Sequence, residues 1–261
     1  MRVLVTFALP AEFASWRRRR RFSKMRPLPG GEDVARCPLF RARTGDLEVI
    51  VALTGMGPAQ AHRAACYALQ CAPDVCISSG LAGAVRARYQ PGDVLAAISV
   101  SEVRGTQVFP CEPSLVRQAT ACGARVVERF LTSPTVVASA AAKQALAEQG
   151  DAVEMESAGV LAAASAANIP AVAIRAVSDG AEQDLPMDLS RVVSAKGSVR
   201  PVRLLGSLAA RPASLPGLLK LAGATRRAAS SLAEFLDRYI ATLAKNGDAR
   251  AAVSGAGAEQ E

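Results

Sequence analysis

The sequence predicts a layered α/β protein, and three observations carry that reading. Half of its 261 residues are hydrophobic but only 4% are aromatic, so a core must be built from Ala, Val and Leu. Alanine-rich stretches of helical character alternate with short Val/Ile runs, the pattern of a largely parallel sheet covered by helices. Two of the apolar runs lead into glycine-bearing turns, "TGMG" and "SGLAG". The length allows one large domain or two small ones with a sizeable core.

"RVLVTFA" (2–8) is a short apolar strand, and 11–21 reads as a helix. "LEVIVALTG" (47–55) is a strand that enters "GMGP", where Gly55 and Gly57 free the backbone and Pro58 suits the first turn of a helix over "AQAHRAACYALQ". "DVCISSGLAGAV" (74–85) repeats the design as a strand followed by a turn with Gly80 and Gly83. Strands follow at 92–103 and 125–133, helices at 138–149 and 155–167, and a buried strand at "AVAIRAVSD" (171–179). Residues 180 to about 201 are polar and irregular, and 214–244 is helical again. The division is a single domain over 1–245, with 195–245 as a helical C-terminal extension and 246–261 as a disordered Gly/Ala/acid-rich tail.

The net charge is +8, and the run Arg17 to Arg21 is its densest cluster. The plain reading is a solvated helix end; the sharper one is attraction to phosphate groups. No zinc finger, aromatic RNA-binding signature or helix-turn-helix pattern accompanies it, which argues against nucleic acid. Six scattered cysteines form no C-x-x-C pair, and His62 is the one histidine, so neither a Cys/His zinc site nor any other metal is expected. Free cysteines and an N-terminus that reads as a strand, not an export signal, point to the cytoplasm. The longest apolar stretch, 157–174, is divided by Asn168 and Pro170, so no membrane span is expected.

In open α/β sheets ligands bind beyond the carboxyl ends of the strands. That rule selects Glu12, the turns 54–57 and 79–83, residues 133–137, the acids in "DAVEMESAGV", and Ser178–Asp179. Ionised carboxylates are rarely buried without partners, so Glu154 and Glu156 in an alanine-rich region either touch water or hold something. For any single acid, a helix cap or a solvated loop serves equally well as an explanation. Acids from well-separated parts of the chain, all placed after strands, favour a shared site.

"VEMES", followed about twenty residues later by "IRAVSD", resembles the nucleoside phosphorylase superfamily, and within it the methylthioadenosine/S-adenosylhomocysteine nucleosidases. "ALPAE", "TGMG", "SGLAG" and "PGDV" echo further motifs in the same order, from residue 2 to about 180. "LPMDLS" and "LAARPASLPGLLKLA" carry a looser likeness to the adenosylhopane-cleaving branch. The resemblance implies a three-layer αβα fold with a central, mostly parallel mixed sheet, no cofactor, a small-molecule nucleoside substrate and a homodimer.

It also implies roles. Glu12 matches the acid that activates the attacking water, and Asp179 the acid that protonates the purine at N7, with Ser178 beside it. Glu156 matches the acid that binds the ribose 2′- and 3′-hydroxyls. Met155 matches the methionine that lines the ribose. Met56, Gly80, Leu81, Val136 and Val137 fall at the other binding positions. The residue types suit the chemistry independently. N-glycosidic cleavage gives an oxocarbenium-like sugar and an anionic base, so one acid must neutralise the base while another deprotonates water. The chain departs from the pattern in three places. Leu81 stands where nucleosidases have Ser or Thr. Val136 and Val137 stand where an aromatic residue stacks on adenine. Ser78 stands where phosphorylases place a phosphate-binding arginine, which favours water as nucleophile, with Arg17–Arg21 or Arg86 as other phosphate contacts.

The expected activity is hydrolysis of a 5′-substituted adenosine to release adenine. The alternatives are an adenosylhopane-type nucleosidase or phosphorylase and a non-catalytic nucleoside-binding module. Residues 196–227 combine basic side chains with leucines and three proline breaks, which reads either as a core-packed face with a solvated basic side or as a surface for peripheral contact with anionic lipid. A dinucleotide fingerprint is absent, as is a serine-hydrolase elbow around Ser79.

Overall fold

The strands β1 (Arg2–Phe7) and β4 (Leu47–Leu53) are buried along nearly their whole length, as strands covered on both faces must be. The computed structural model describes residues 1–28, 37–185 and 215–256. Within them the remaining strands are β2 (Ser23–Lys24), β3 (Leu39–Thr44), β5 (Val75–Ala84), β6 (Val94–Glu102), β7 (Val108–Pro110), β8 (Arg125–Thr132), β9 (Ala152–Glu154) and β10 (Ala171–Asp179). The helices are α1 (Pro10–Arg19), α2 (Pro58–Leu69), α3 (Pro113–Ala121), α4 (Ala140–Gln144), α5 (Ser157–Ala166) and α6 (Leu215–Ala256).

The strands form one mixed sheet in the order β10-β6-β8-β9-β5-β1-β4-β3-β2, with β7 on β6. Parallel pairing joins β4, β1, β5 and β10 at its centre. A further β10–β5 pairing closes β5, β9, β8, β6 and β10 on one another. Helices α2 and α5 pack together against the sheet, and α6 packs on β10 and against α1. Proline opens α1, α2 and α3 at the first turn, where its missing N–H has no intrahelical partner to lose.

The aromatic residues are few but concentrated. Trp16 is fully buried, with ring centroids 6.1 Å from Phe7, 6.4 Å from Phe13 and 5.2 Å from Phe22. Its indole N–H donates to Asp237 of α6 at 2.8 Å, and Arg20 adds an ion pair to the same carboxylate at 2.6 Å. Burial pushes the Asp237 carboxyl up, but the hydrogen bonds from Trp16, Arg20 and Arg19 outweigh it and hold the group below its ordinary range. This pins α1, and with it Glu12, to α6. The basic run is therefore partly structural: Arg19 and Arg20 pair with Asp237, and the Arg17 guanidinium sits 4.9 Å from the Phe40 ring centre.

Several expectations are corrected. β5 does not turn at Gly80 but continues to Ala84. The helix expected over 138–149 is only Ala140–Gln144. Beyond it the backbone tightens into i→i−3 bonds, Leu146 N–H to Lys143 C=O and Ala147 N–H to Gln144 C=O. Helix α6 runs on to Ala256, past 245 where an irregular tail was expected, through the strong helix formers of "DARAA". On α6, Leu221, Ala224, Ala228, Leu232, Phe235, Tyr239 and Leu243 are buried at helical spacing, whereas Leu219, Lys220, Arg226 and Arg227 are exposed. Over 219–227 that is a core-packed face with a solvated basic side. The rest of the proposed lipid-facing segment, 196–214, lies outside the described residues. Among those residues no helix is long and apolar enough to cross a membrane.

Candidate active site

Two glycines of β5 make the first contacts. Gly80 has φ +150°, and a Cβ there would lie 3.0 Å from Glu12 Oε1. A Cβ on Gly83 would lie 2.9 Å from Asp179 Oδ2. Only glycine lets both carboxylates settle against the strand without displacement. Asp179 reaches Gly83 because the β10–β5 register slips between Val177 and Asp179, a bulge that re-aims the side chain.

Glu12 occupies the third position of α1. Its Oε2 accepts the Leu9 N–H at 2.9 Å and its Oε1 accepts the Leu81 N–H at 3.1 Å. Burial raises its carboxyl above the ordinary range. The backbone donors and the Arg175 charge oppose that rise without cancelling it. Asp179 is buried; its Oδ1 accepts the Ser178 hydroxyl at 2.6 Å, and its Oδ2 pairs with the ammonium of Lys143.

Glu154 and Glu156 divide two tasks. Glu154 is a fully buried anion that accepts from Arg175 Nη2 at 2.5 Å, from the Glu156 and Ser157 N–H groups at 2.9 and 2.8 Å, from Ser157 Oγ at 2.9 Å, and from the Thr132 hydroxyl. Ser78 Oγ accepts from Arg175 at 3.2 Å and lies 3.1 Å from Ser157 Oγ. A single proton order satisfies this chain: Arg175 to Ser78, Ser78 to Ser157, Ser157 to Glu154. Thr132 Oγ1 also accepts the Ala158 N–H at 3.0 Å, so the first three open N–H groups of α5, those of Glu156, Ser157 and Ala158, are met. With the helix start capped by Glu154, Glu156 is free to turn its carboxyl to the cavity, where it accepts the Gly57 N–H at 3.1 Å.

Burial, with the Glu154 and Glu12 carboxylates behind it, pushes the Glu156 carboxyl up to about 8, against the pull of Arg175 and the Gly57 N–H. In the unfolded chain the same group ionises near 4.5. The stability it contributes is therefore complete below about 4.5 and is lost as pH rises through about 8. Replacing Glu156 with Gln should remove that dependence. The stability difference, variant minus wild type, should grow in the variant's favour by on the order of a few kcal/mol between pH 4 and pH 9. Denaturant titrations at both pH values check this, and parallel pH curves for the two proteins would contradict it.

Glu12, Met56, Leu81, Val136, Val137, Met155, Glu156, Ser178 and Asp179 all line one cavity of about 210 Å³. Gly80 is not among its lining residues and lies instead against the Glu12 carboxylate. Thr135, within the selected stretch 133–137, also lines the cavity, as does Leu185; sequence reasoning left out Leu185, and with it Lys143 and Arg175, which pair with acids of the site. Lys143 gave no signal, being one lysine in an alanine-rich stretch. Arg175 did give one: a charge inside "AVAIRAVSD" requires a buried partner, and Glu154 was the acid without a role.

No Lys or Arg is among the described residues that line the cavity. The arginines considered as phosphate contacts are placed elsewhere: Arg86 pairs with Asp151 at 3.1 Å, and none of Arg17–Arg21 lines the cavity. Ser78 is fully buried in the Arg175–Glu154 network.

The family model described as "Phosphorylase superfamily" matches residues 2–208. Similar solved structures include the futalosine hydrolase of Helicobacter pylori strain 26695, with a TM-score of 0.70 at 17% identity, covering 92% of this chain and 97% of that one. The 5′-methylthioadenosine/S-adenosylhomocysteine nucleosidase of Campylobacter jejuni gives 0.69 at 18%, covering 94% and 99%. The corresponding nucleosidase of Neisseria meningitidis, in complex with methylthio-immucillin-A, gives 0.63 at 21%, covering 90% and 98%. At these identities the likeness establishes the fold.

Proposed function

We propose, from the premise that this chain belongs to the phosphorylase superfamily, that it is an N-glycosidase that hydrolyses a 5′-substituted adenosine and releases adenine. The observation that carries this reading is the convergence of Glu12, Glu156 and Asp179 on one cavity with no cationic side chain among its described lining residues. A phosphate nucleophile needs a cationic cradle; water needs a base.

Glu12 takes the proton of the attacking water as its oxygen bonds to C1′. Its raised ionisation brings it nearer to working pH, which suits a general base. Glu156 holds the ribose hydroxyls. Burial raises its carboxyl toward neutral pH, and in the protonated form it is donor to one hydroxyl and acceptor from the other. Asp179, oriented by Ser178, faces N7 of the purine. Leu81, Val136 and Val137 give the base and the 5′ side an aliphatic surface. That surface supports the second reading, a substrate with a large hydrophobic 5′-group of the adenosylhopane type.

The deciding experiment measures free base released from methylthioadenosine, S-adenosylhomocysteine, a long-chain 5′-alkyl adenosine and the 6-oxopurine counterparts, each with and without phosphate. Adenine release independent of phosphate is the expected result. Preference for the long-chain compound selects the second reading. Phosphate-dependent turnover or preference for 6-oxopurines overturns the proposal.

A further inference from the structure

The cavity's acid has a partner that the sequence did not announce. Lys143 is fully buried, and each of its ammonium hydrogens has a use: Asp179 Oδ2, the Gly180 carbonyl at 2.9 Å and the Gln183 carbonyl at 2.9 Å. It comes from α4, whose start is fixed by Ser139 Oγ accepting the Ala142 N–H at 3.1 Å and by Asp184 Oδ1 accepting the Ala140 N–H at 2.7 Å. Its Cε lies 3.5 Å from where a Gly83 Cβ would stand, so the glycine that admits Asp179 also leaves room for the lysine stem. Burying an ammonium is expensive, and burying it against a carboxylate that must act as an acid needs a reason.

We propose that Lys143 is a positioning residue that supplies, through Asp179, the proton delivered to the leaving purine. This rests on the N-glycosidase reading above. The pair holds one more exchangeable proton than a lone carboxylate, as ammonium with carboxylate or as amine with carboxylic acid. When the N9–C1′ bond breaks, its electron pair passes to the purine. A proton passes from Lys143 Nζ to the Asp179 carboxylate and on to N7, leaving the neutral amine beside the carboxylate. The attacking water bonds to C1′ and its proton goes to Glu12. Afterwards Glu12 releases a proton to solvent and Lys143 takes one up, so the cycle closes.

Serine 178 and the two carbonyls complete the pair's immediate surroundings. Asp184 sits at the α4 start, and Glu182 and Glu148 are exposed nearby in sequence. Glu12 and Glu156 share the cavity, with the Glu154–Arg175 pair behind them. All of these remain in a Lys143 variant, so changes in its pH profile relative to wild type report on the lysine.

The test uses Lys143→Gln and Lys143→Arg, with a purine nucleoside and with 4-nitrophenyl riboside, from pH 5 to 9. The phenolate leaves without a proton, so the ratio of the two rates in one preparation isolates proton delivery and cancels any unfolded fraction. Lys143→Gln should lose about 10²-fold on the purine nucleoside at pH 8 and less at pH 5, where solvent is the richer proton source. Lys143→Arg keeps the charge but cannot give up its proton, so it should lose about as much at both pH values. Both should cleave 4-nitrophenyl riboside within a few-fold of wild type. Equal losses on both substrates at every pH, or a wild-type rate in Lys143→Arg, overturn the inference while leaving the N-glycosidase reading intact. A wild-type protein that releases base from no nucleoside overturns that reading, and the inference with it.

Discussion

Asp179→Asn is expected to reduce turnover of a purine nucleoside by about 10²–10⁴-fold at neutral pH while leaving its binding within a few-fold. The amide keeps the shape of the side chain and can still accept from Ser178 or Lys143, so the pocket outline survives. What it lacks is an exchangeable acid proton, and the path from Lys143 to N7 is cut at its middle link. The substitution also leaves the Lys143 ammonium buried without a counter-charge, and breaking a buried pair in this way commonly costs about 3–5 kcal/mol. Kinetics must therefore be read from protein shown to be folded, with kcat and KM resolved. A fall in kcat at near-constant KM is the expected pattern. Near-normal kcat would remove Asp179 from the reaction.

The second large effect concerns stability. Arg175→Met should destabilise the protein by about 3–5 kcal/mol, because Glu154 would remain as a buried anion with its closest cation gone. The loss should be partly repaired by adding Glu154→Gln, since a neutral amide can still cap the N–H groups of Glu156 and Ser157 without needing a counter-ion. Denaturant unfolding of the two single variants and the double variant gives the coupling directly. A single variant within 1 kcal/mol of wild type, or fully additive losses, would show that the pair is not the anchor of this region.

The fold class was legible in the alternation of helical and Val/Ile stretches, and the acids that share the cavity were legible for a separate physical reason. Acids placed after strands are visible in a sequence because a charge in an apolar context demands explanation, and Glu12, Glu156 and Asp179 all satisfy that rule. The rule was applied unevenly. Glu154 raised the same question and Arg175, a charge inside an apolar run, answered it, but nothing in the sequence joined the two before their contact was visible. Lys143 was illegible because its meaning lies in three partners between 36 and 40 residues away in sequence. Short elements escaped for another reason. α3 offers only Leu115, Val116 and Ala119 to the core, and β3 alternates only over Phe40–Arg43, so neither repeats its pattern long enough to stand out. At Gly80 the glycine read as a turn, whereas its use is close approach by a carboxylate within an unbroken strand.

Gly80 and Gly83 also act as a ruler. A strand advances by about 3.3 Å per residue, so the two contact points on β5 stand about 10 Å apart along the chain. One seats the Glu12 carboxylate and the other the Asp179 carboxylate, the base and the acid of the proposed reaction. Their spacing is written into the covalent backbone, not into side chains that could repack. One residue inserted between them would move one acid's seat by about 3.3 Å relative to the other, more than a hydrogen bond can stretch. The apolar side chains lining the cavity are open to exchange for a new substrate, but the interval between those glycines has to be inherited unchanged.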